Sequence, residues 1–165
     1  MPIPAYVRDI RAKIGHDLLM MPGVAAIIFN DEGEVLLQRR ADNGLWGIPG
    51  GMIEPGEEPA ETVIREVYEE TGLRVIPERI AGVFGGPMNM GEFPNGDRFA
   101  VISITFCCRL MGGELRVDHD ETLELSYFPT NALPSDMMER HRQRVLYAVT
   151  QSEPYFALPK ASDEL

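Results

Sequence analysis

The chain has 165 residues, 44% of them hydrophobic and 25% charged, with a formal net charge of −11. That composition suits one globular domain able to bury a core without staples, and the acidic balance excludes a nucleic-acid polymer as main partner, since backbone binding needs clustered Lys and Arg. No apolar stretch approaches a membrane span, and Arg8, Arg11 and Lys13 precede no signal-type apolar run, so a soluble, cytoplasmic protein is expected.

Tyr6, Ile10 and Ile14 recur at helical spacing and predict a short amphipathic helix ended by Gly15, part of an N-terminal helical extension over residues 1–20. Leu18 to Met21 reads as a short strand before Pro22-Gly23. Val24 to Phe29 and Glu34 to Arg40 read as a hairpin with Asn30-Asp31-Glu32-Gly33 at its tip. A loop with a brief strand at Leu45 to Ile48 then delivers Gly50 and Gly51, and a helix follows from Pro59.

After that helix, Leu73 to Ile76 and Ile80 to Phe84 read as two strands, with Pro77-Glu78-Arg79 as the turn between them. Residues 85–97 form a loop rich in Gly, Pro and Met, of the kind that often carries function. Phe99 to Leu110 is the longest strand. Cys107 and Cys108 fall on its opposite faces, so no disulfide joins them and they read as core filling. An acidic segment with Asp120, Glu121 and Glu124 runs into a strand ending at Phe128. Ser135 is expected to cap a helix from Asp136 to about Val149, with Met137, His141, Val145 and Ala148 on one face. Residues 152–165 read as a loosely ordered tail. Helices interleaved with antiparallel strands, without a regular βαβ period, predict an α+β domain with a mixed β-sheet between helices. The whole of 1–165 is expected to be one domain.

The stretch from Gly51 to Leu73 organises the rest. Pro59 suits a first helical position and Gly72 the left-handed position past a helix end. Ala60, Val63, Ile64, Val67 and Thr71 form the expected packing stripe. Glu66, Glu69 and Glu70 stand off it, on an arc of roughly 100°. Two carboxylates about 6 Å apart repel by roughly 3 kcal/mol at an effective dielectric near 20, and no lysine is interspersed between residues 51 and 73. Three glutamates alone most often form a solvated acidic face. The alternative is a site for a hard divalent cation, which prefers oxygen ligands and often serves phosphate substrates.

The spacing favours the second reading. Gly51, five residues, Glu57, seven residues, then Arg65-Glu66-Val67-Tyr68-Glu69-Glu70-Thr71-Gly72-Leu73 resembles the signature box of the Nudix hydrolases at every defined position. The resemblance implies an α/β/α sandwich and a pyrophosphohydrolase dependent on Mg²⁺, with Mn²⁺ as substitute. Its substrate would be a nucleoside diphosphate linked to another moiety, as in a nucleoside triphosphate, ADP-ribose or a related nucleotide. It carries metal ligation onto Glu66, Glu69, Glu70 and the Gly50 carbonyl, and pairs Glu57 with Arg65 as a structural link between loop and helix, Arg65 lying away from the centre of the arc. Glu69, Glu70 and Glu121 are the candidates for general base. A proline or tyrosine marks some subfamilies 16 and 18 residues past the box, but Asn89 and Gly91 stand there, so the linked group stays open.

Arg40, Arg98, Trp46 and Phe84 are the candidate substrate-binding residues, the arginines for phosphates and the rings for a base. Arg39 and Phe93 are weaker alternatives. His16, His119 and His141 lack paired spacing and read as incidental. Two other functions fit the same box: a nucleotide-sensing module without catalysis, or an enzyme like isopentenyl-diphosphate isomerase, which would want Cys107 or Cys108 in the pocket. Homodimers are common among similar proteins, and the first helix or the long strands could supply an interface.

Overall fold

The computed structural model of the chain describes residues 4–117 and 120–158. Helix α1 (Ala5–Ile14) is followed by strands β1 (Leu19–Ile28), β2 (Val35–Arg40) and β3 (Trp46–Gly47), then helix α2 (Pro59–Thr71). Strands β4 (Leu73–Phe84), β5 (Met90–Glu92), β6 (Arg98–Gly113) and β7 (Thr122–Phe128) lead to helix α3 (Glu139–Thr150). One sheet runs β1-β6-β4, with β5 also on β6; a second runs β3-β2-β7. β1 pairs with β6 parallel, while β4 and β5 pair with it antiparallel, so the first sheet is mixed.

Alternation on β1 explains why this sheet lies between two helices. Val24, Ala26 and Ile28 join Val63 and Val67 of α2 in one buried cluster. Ala25 and Ile27 join Val145 and Ala148 of α3 in the other. Successive side chains of a strand face opposite ways, so one strand feeds both cores. The same rule separates Cys108, in the α2-side cluster, from Cys107, packed against the α3-side one.

Several expected elements are different in the structure. The hairpin does not form: its tip closes (Asn30 N–H to Glu34 O, 3.0 Å), but after one bridge, Phe29 to Val35, the two strands part into different sheets. A strand buried on both faces needs a layer on each side, and a hairpin partner alone cannot supply that. Leu18 to Met21 is no separate strand, because β1 runs through Pro22 and Gly23. The Pro22 carbonyl accepts from Ile53 N–H at 3.2 Å, so the missing Pro N–H falls on the loop side and leaves the β6 ladder whole. Pro77-Glu78-Arg79 is a bulge inside the continuous β4, not a turn. α3 begins at Glu139 with Met138 as N-cap, so Ser135 caps nothing. The tail is anchored as far as Tyr155, which bridges Gly82 of β4; residues 159–165 and His119 lie outside the described residues.

On α2 the buried stripe is Thr62, Val63, Glu66, Val67, Glu70 and Thr71. Ala60 and Ile64 are exposed, so the packed face is rotated towards the glutamates.

Candidate active site

The site grows from the junction of α2 with the Gly50–Gly51 turn. The turn is laced to β1: Val24 N–H donates to Gly51 O at 2.9 Å and Ala26 N–H to Pro49 O at 2.8 Å. Gly50 has φ +149, and a Cβ there would strike the Val24 carbonyl. A Cβ on Gly51 would overlap the Glu66 carboxylate. Both glycines are therefore required by close approach, one to the strand and one to the acid. α2 is held in register by Pro59 in its first turn, by the Glu61 carboxylate accepting from Glu58 N–H (3.1 Å), and by Gly72 at φ +75.

Glu66 and Glu70, four apart, are on the buried face, at 6% and 1% exposure, while Glu69 faces solvent. This corrects the expectation that all three stand off the packing stripe. Glu70 Oε2 accepts from Gly50 N–H at 2.8 Å. Its Oε1 is buried with no hydrogen-bond partner among the described residues. Burial pushes the Glu70 carboxyl up to about 8, although the neighbouring Gln38 amide and Gly50 N–H favour its charge. Burial likewise raises Glu66 to about 7, against the pull of Arg65 and with a push from Glu69 and Glu121. An acid held up in this way releases its proton readily to a bound cation.

Arg65 lies inside the acidic group and not beside it. Its Nε and Nη2 meet the two oxygens of Glu57 at 2.7 and 2.9 Å, while Nη1 reaches Glu66 at 2.9 Å and Glu69 at 3.1 Å. The hydrogen-bonded guanidinium pulls Glu57 down to about 2. Glu57 also accepts from Thr62 Oγ1 and Glu54 N–H, tying the loop before the helix to its first turns. The carboxylates surround a cleft of about 360 Å³ whose wall includes Glu121, Glu54, Met52 and Pro4. Among the described residues, no three metal-binding side chains stand grouped to hold an ion, and Arg65 engages both Glu66 and Glu69.

The substrate-binding candidates divide. Arg40 makes a two-pronged pair with Asp42, at 2.9 and 2.8 Å, and the charges of Glu70 and Glu121 act on it, so it borders the acidic site. Arg39 is turned towards Glu124 and Asp136, each 3.9 Å away. Arg98 is committed elsewhere: it reaches Asp17 at 3.3 Å, and its carbonyl accepts from Arg11. Trp46 is buried edge-on against Phe128, ring centres 4.9 Å apart, which removes it as a free stacking surface. Phe84 is also taken, with Tyr155 stacked at 4.9 Å and Arg144 over its ring. Phe93 packs on Phe99. His16 pairs with Asp97, and His141, fully packed, accepts from Ile48 N–H. Neither cysteine lines the cleft, and burial raises both thiols, Cys108 to about 12, which removes the ground for an isomerase reading.

Sequence reasoning missed three residues that the structure singles out. Gln38, on the same face of β2 as Arg40, sits beside Glu70 and accepts from Thr122 Oγ1 at 2.8 Å; one amide in the run VLLQRR was the available signal. Pro4 of the N-terminal segment reaches the cleft wall, which no local pattern announces. Arg144 is a buried arginine on a helix whose pattern gave it no special place.

Comparison with known proteins decides the family. The chain matches the NUDIX domain over residues 19–149. It belongs to the Nudix family. A putative 8-oxo-dGTP diphosphatase of Bacillus subtilis is 31% identical over 123 residues, 74% of this chain and 76% of that protein. An ADP-ribose pyrophosphatase of Methanocaldococcus jannaschii is 37% identical over 123 residues, 72% of this chain and 69% of that protein. Among solved structures, a MutT protein of Methanosarcina mazei superposes with a TM-score of 0.69 at 28% identity, over 81% of this chain and 96% of that one. The Nudix chain is accordingly a hydrolase of phosphoric anhydride bonds with the α+β Nudix sandwich.

Proposed function

We propose that this Nudix chain is a divalent-metal-dependent pyrophosphohydrolase that cleaves a nucleoside diphosphate linked to a second group, with Glu66, Glu69 and Glu70 as its metal-binding set. The observation that carries the reading is the buried, unpartnered Oε1 of Glu70 beside the Gly50–Gly51 turn. A buried carboxylate oxygen without a well-aligned hydrogen bond is costly even with the Gln38 amide nearby, and an oxygen-only donor set suits a hard cation such as Mg²⁺ or Mn²⁺. When bound, that cation supplies charge neutralisation for the diphosphate and a polarised water.

The chain's own residues do the rest. Gly50 and Gly51 let the backbone approach the diphosphate without a Cβ in the way. Arg65, fixed by Glu57, holds Glu66 and Glu69 to one side of the cleft and keeps the loop on the helix. Arg40, on the border of the acidic site, is placed to meet a phosphate oxygen on leaving Asp42. Glu70 is enclosed behind Gly50, so of the three candidates the general base falls to Glu69 or Glu121, both of which line the cleft. Either can take the proton of a water attacking phosphorus from within hydrogen-bond reach.

The relatives' names span an oxidised nucleoside triphosphate and ADP-ribose, and the linked group is left to assay. Phosphate release is measured with Mg²⁺ on nucleoside triphosphates, ADP-ribose, dinucleoside polyphosphates and sugar nucleotides, with coupling enzymes as each product requires. Turnover of one class, abolished by Glu→Gln at 69, 70 or 121, is the expected result. Near-normal turnover in all three variants would show the site to be elsewhere. Tight binding across the panel without turnover would favour the nucleotide-sensing module.

A further inference from the structure

Arg144 of α3 is 3% exposed, and among the described residues no carboxylate pairs with it. Its Nη1 donates to Ser103 Oγ at 3.1 Å and its Nη2 to Asn89 Oδ1 at 2.6 Å. Its Nε is buried with no hydrogen-bond partner among the described residues. A guanidinium so enclosed is costly unless it serves something. The guanidinium carbon lies 4.9 Å from the centre of the Phe84 ring, and Asn89 is locked in place by donating to Gly85 O at 2.8 Å. The cluster thus offers a flat cation, an aromatic face, an amide and a hydroxyl, the groups that recognise a planar ring carrying carbonyl acceptors.

The ring in contact with it now belongs to the chain itself. Tyr155 stacks on Phe84 with centres 4.9 Å apart and planes 10° from parallel. Its segment lies outside the matched NUDIX domain and, among the described residues, adds to the edge of β4 by two backbone bonds, Tyr155 N–H to Ala81 O (2.9 Å) and Val83 N–H to Tyr155 O (2.8 Å). Gly82 makes room for it, since a Cβ there would crowd the Tyr155 backbone.

The cluster also connects with the glutamate cleft. Phe84 is paired with Ser103, Ser103 with Gly23, and Gly23 bridges Met52 on the cleft wall. Three strand spacings make about 14 Å, the scale of an extended nucleoside diphosphate. The row crosses a glycine floor: a Cβ on Gly23 would crowd the Gly51 carbonyl, and one on Gly51 would overlap the Glu66 carboxylate.

We propose that Phe84, Asn89, Ser103 and Arg144 form a subsite for the nucleobase of the substrate, and that Tyr155 on the C-terminal strap plugs it and gives way to the base. The substrate's identity as a nucleotide rests on the function proposed above, but the subsite is testable without turnover. Binding of AMP and GMP is measured calorimetrically in EDTA on the full chain, with ribose 5-phosphate as the control lacking a base.

A plug lowers apparent affinity by the fraction of time it is closed, so Tyr155→Ala is expected to bind the monophosphates about tenfold tighter than the native chain. Arg144→Lys and Asn89→Ala should bind them about tenfold more weakly, as expected for loss of a bidentate or amide contact. Ribose 5-phosphate should respond to none of these changes, and thermal melts confirm that each variant is folded. Equal or weaker monophosphate binding by Tyr155→Ala overturns the plug. Binding indifferent to Arg144 and Asn89, or absent from every variant, overturns the subsite. Hydrolysis could persist in each of those cases, which separates this failure from failure of the functional reading.

Discussion

At the residue scale the site is a contest between burial and charge. Glu66 and Glu70 are held up to about 7 and about 8 by desolvation, while Glu57 is drawn down to about 2 by Arg65. A raised carboxyl stabilises the fold below its ordinary value near 4.5 and loses that contribution as pH climbs through the raised value. A lowered one contributes above 4.5 and loses its share as pH falls towards 2. In EDTA, thermal melts should therefore show maximum stability near pH 5 and a decline to pH 8, with a slope of up to about 1.4 kcal/mol per pH unit for each titrating group. A flat profile between pH 5 and 8 would mean the two glutamates are not buried as described. Gly51 is the most exacting neighbour of Glu66. Gly51→Ala should lower kcat/KM by about 100-fold through displacement of the carboxylate, with a melting temperature only slightly reduced.

At the element scale, α2 is the part most legible from sequence, because its signals are local: Pro59 at the start, Gly72 at the end and carboxylates at fixed intervals. Gly72→Ala tests its exit. The position has φ +75, and a Cβ would press on the Glu114 carbonyl, so a loss of about 1–3 kcal/mol in denaturant titration is expected. The face α2 buries was misjudged because hydrophobic spacing alone cannot foresee that two glutamates will be packed inward. The hairpin and the turn at Pro77 failed for a related reason. Whether β1 stays with β2 or leaves for β6 is decided by distant residues, and a proline can sit in a bulge as well as in a turn. Trp46 and Phe84 are covered by rings, Phe128 and Tyr155, that lie far along the chain, so local pattern does not show that neither is a free stacking surface. Arg65 was placed too far from the arc because helical phase fixes its Cα, while its long side chain reaches back over Glu66 and Glu69.

At the scale of the whole molecule, the net charge of −11 opposes the approach of any phosphate substrate. The acidic cleft adds to that opposition until a cation occupies it. Divalent metal should then stabilise the fold by mass action: at 100 times the dissociation constant, Mg²⁺ raises stability by about 2.7 kcal/mol, seen as a higher melting temperature that EDTA reverses. The gain should be largest near pH 8, where Glu66 is ionised and Glu70 is titrating, and it should vanish in Glu70→Gln.

Metal-dependent cleavage of a nucleotide diphosphate by the α2 carboxylates is open to direct measurement. It is tested most directly by turnover of the nucleotide panel with Mg²⁺, with EDTA, and with Mg²⁺ in Glu69→Gln. Products are expected from one nucleotide class with Mg²⁺, none with EDTA, and a loss of at least about 100-fold in the variant. Turnover that survives both EDTA and the substitution would contradict it.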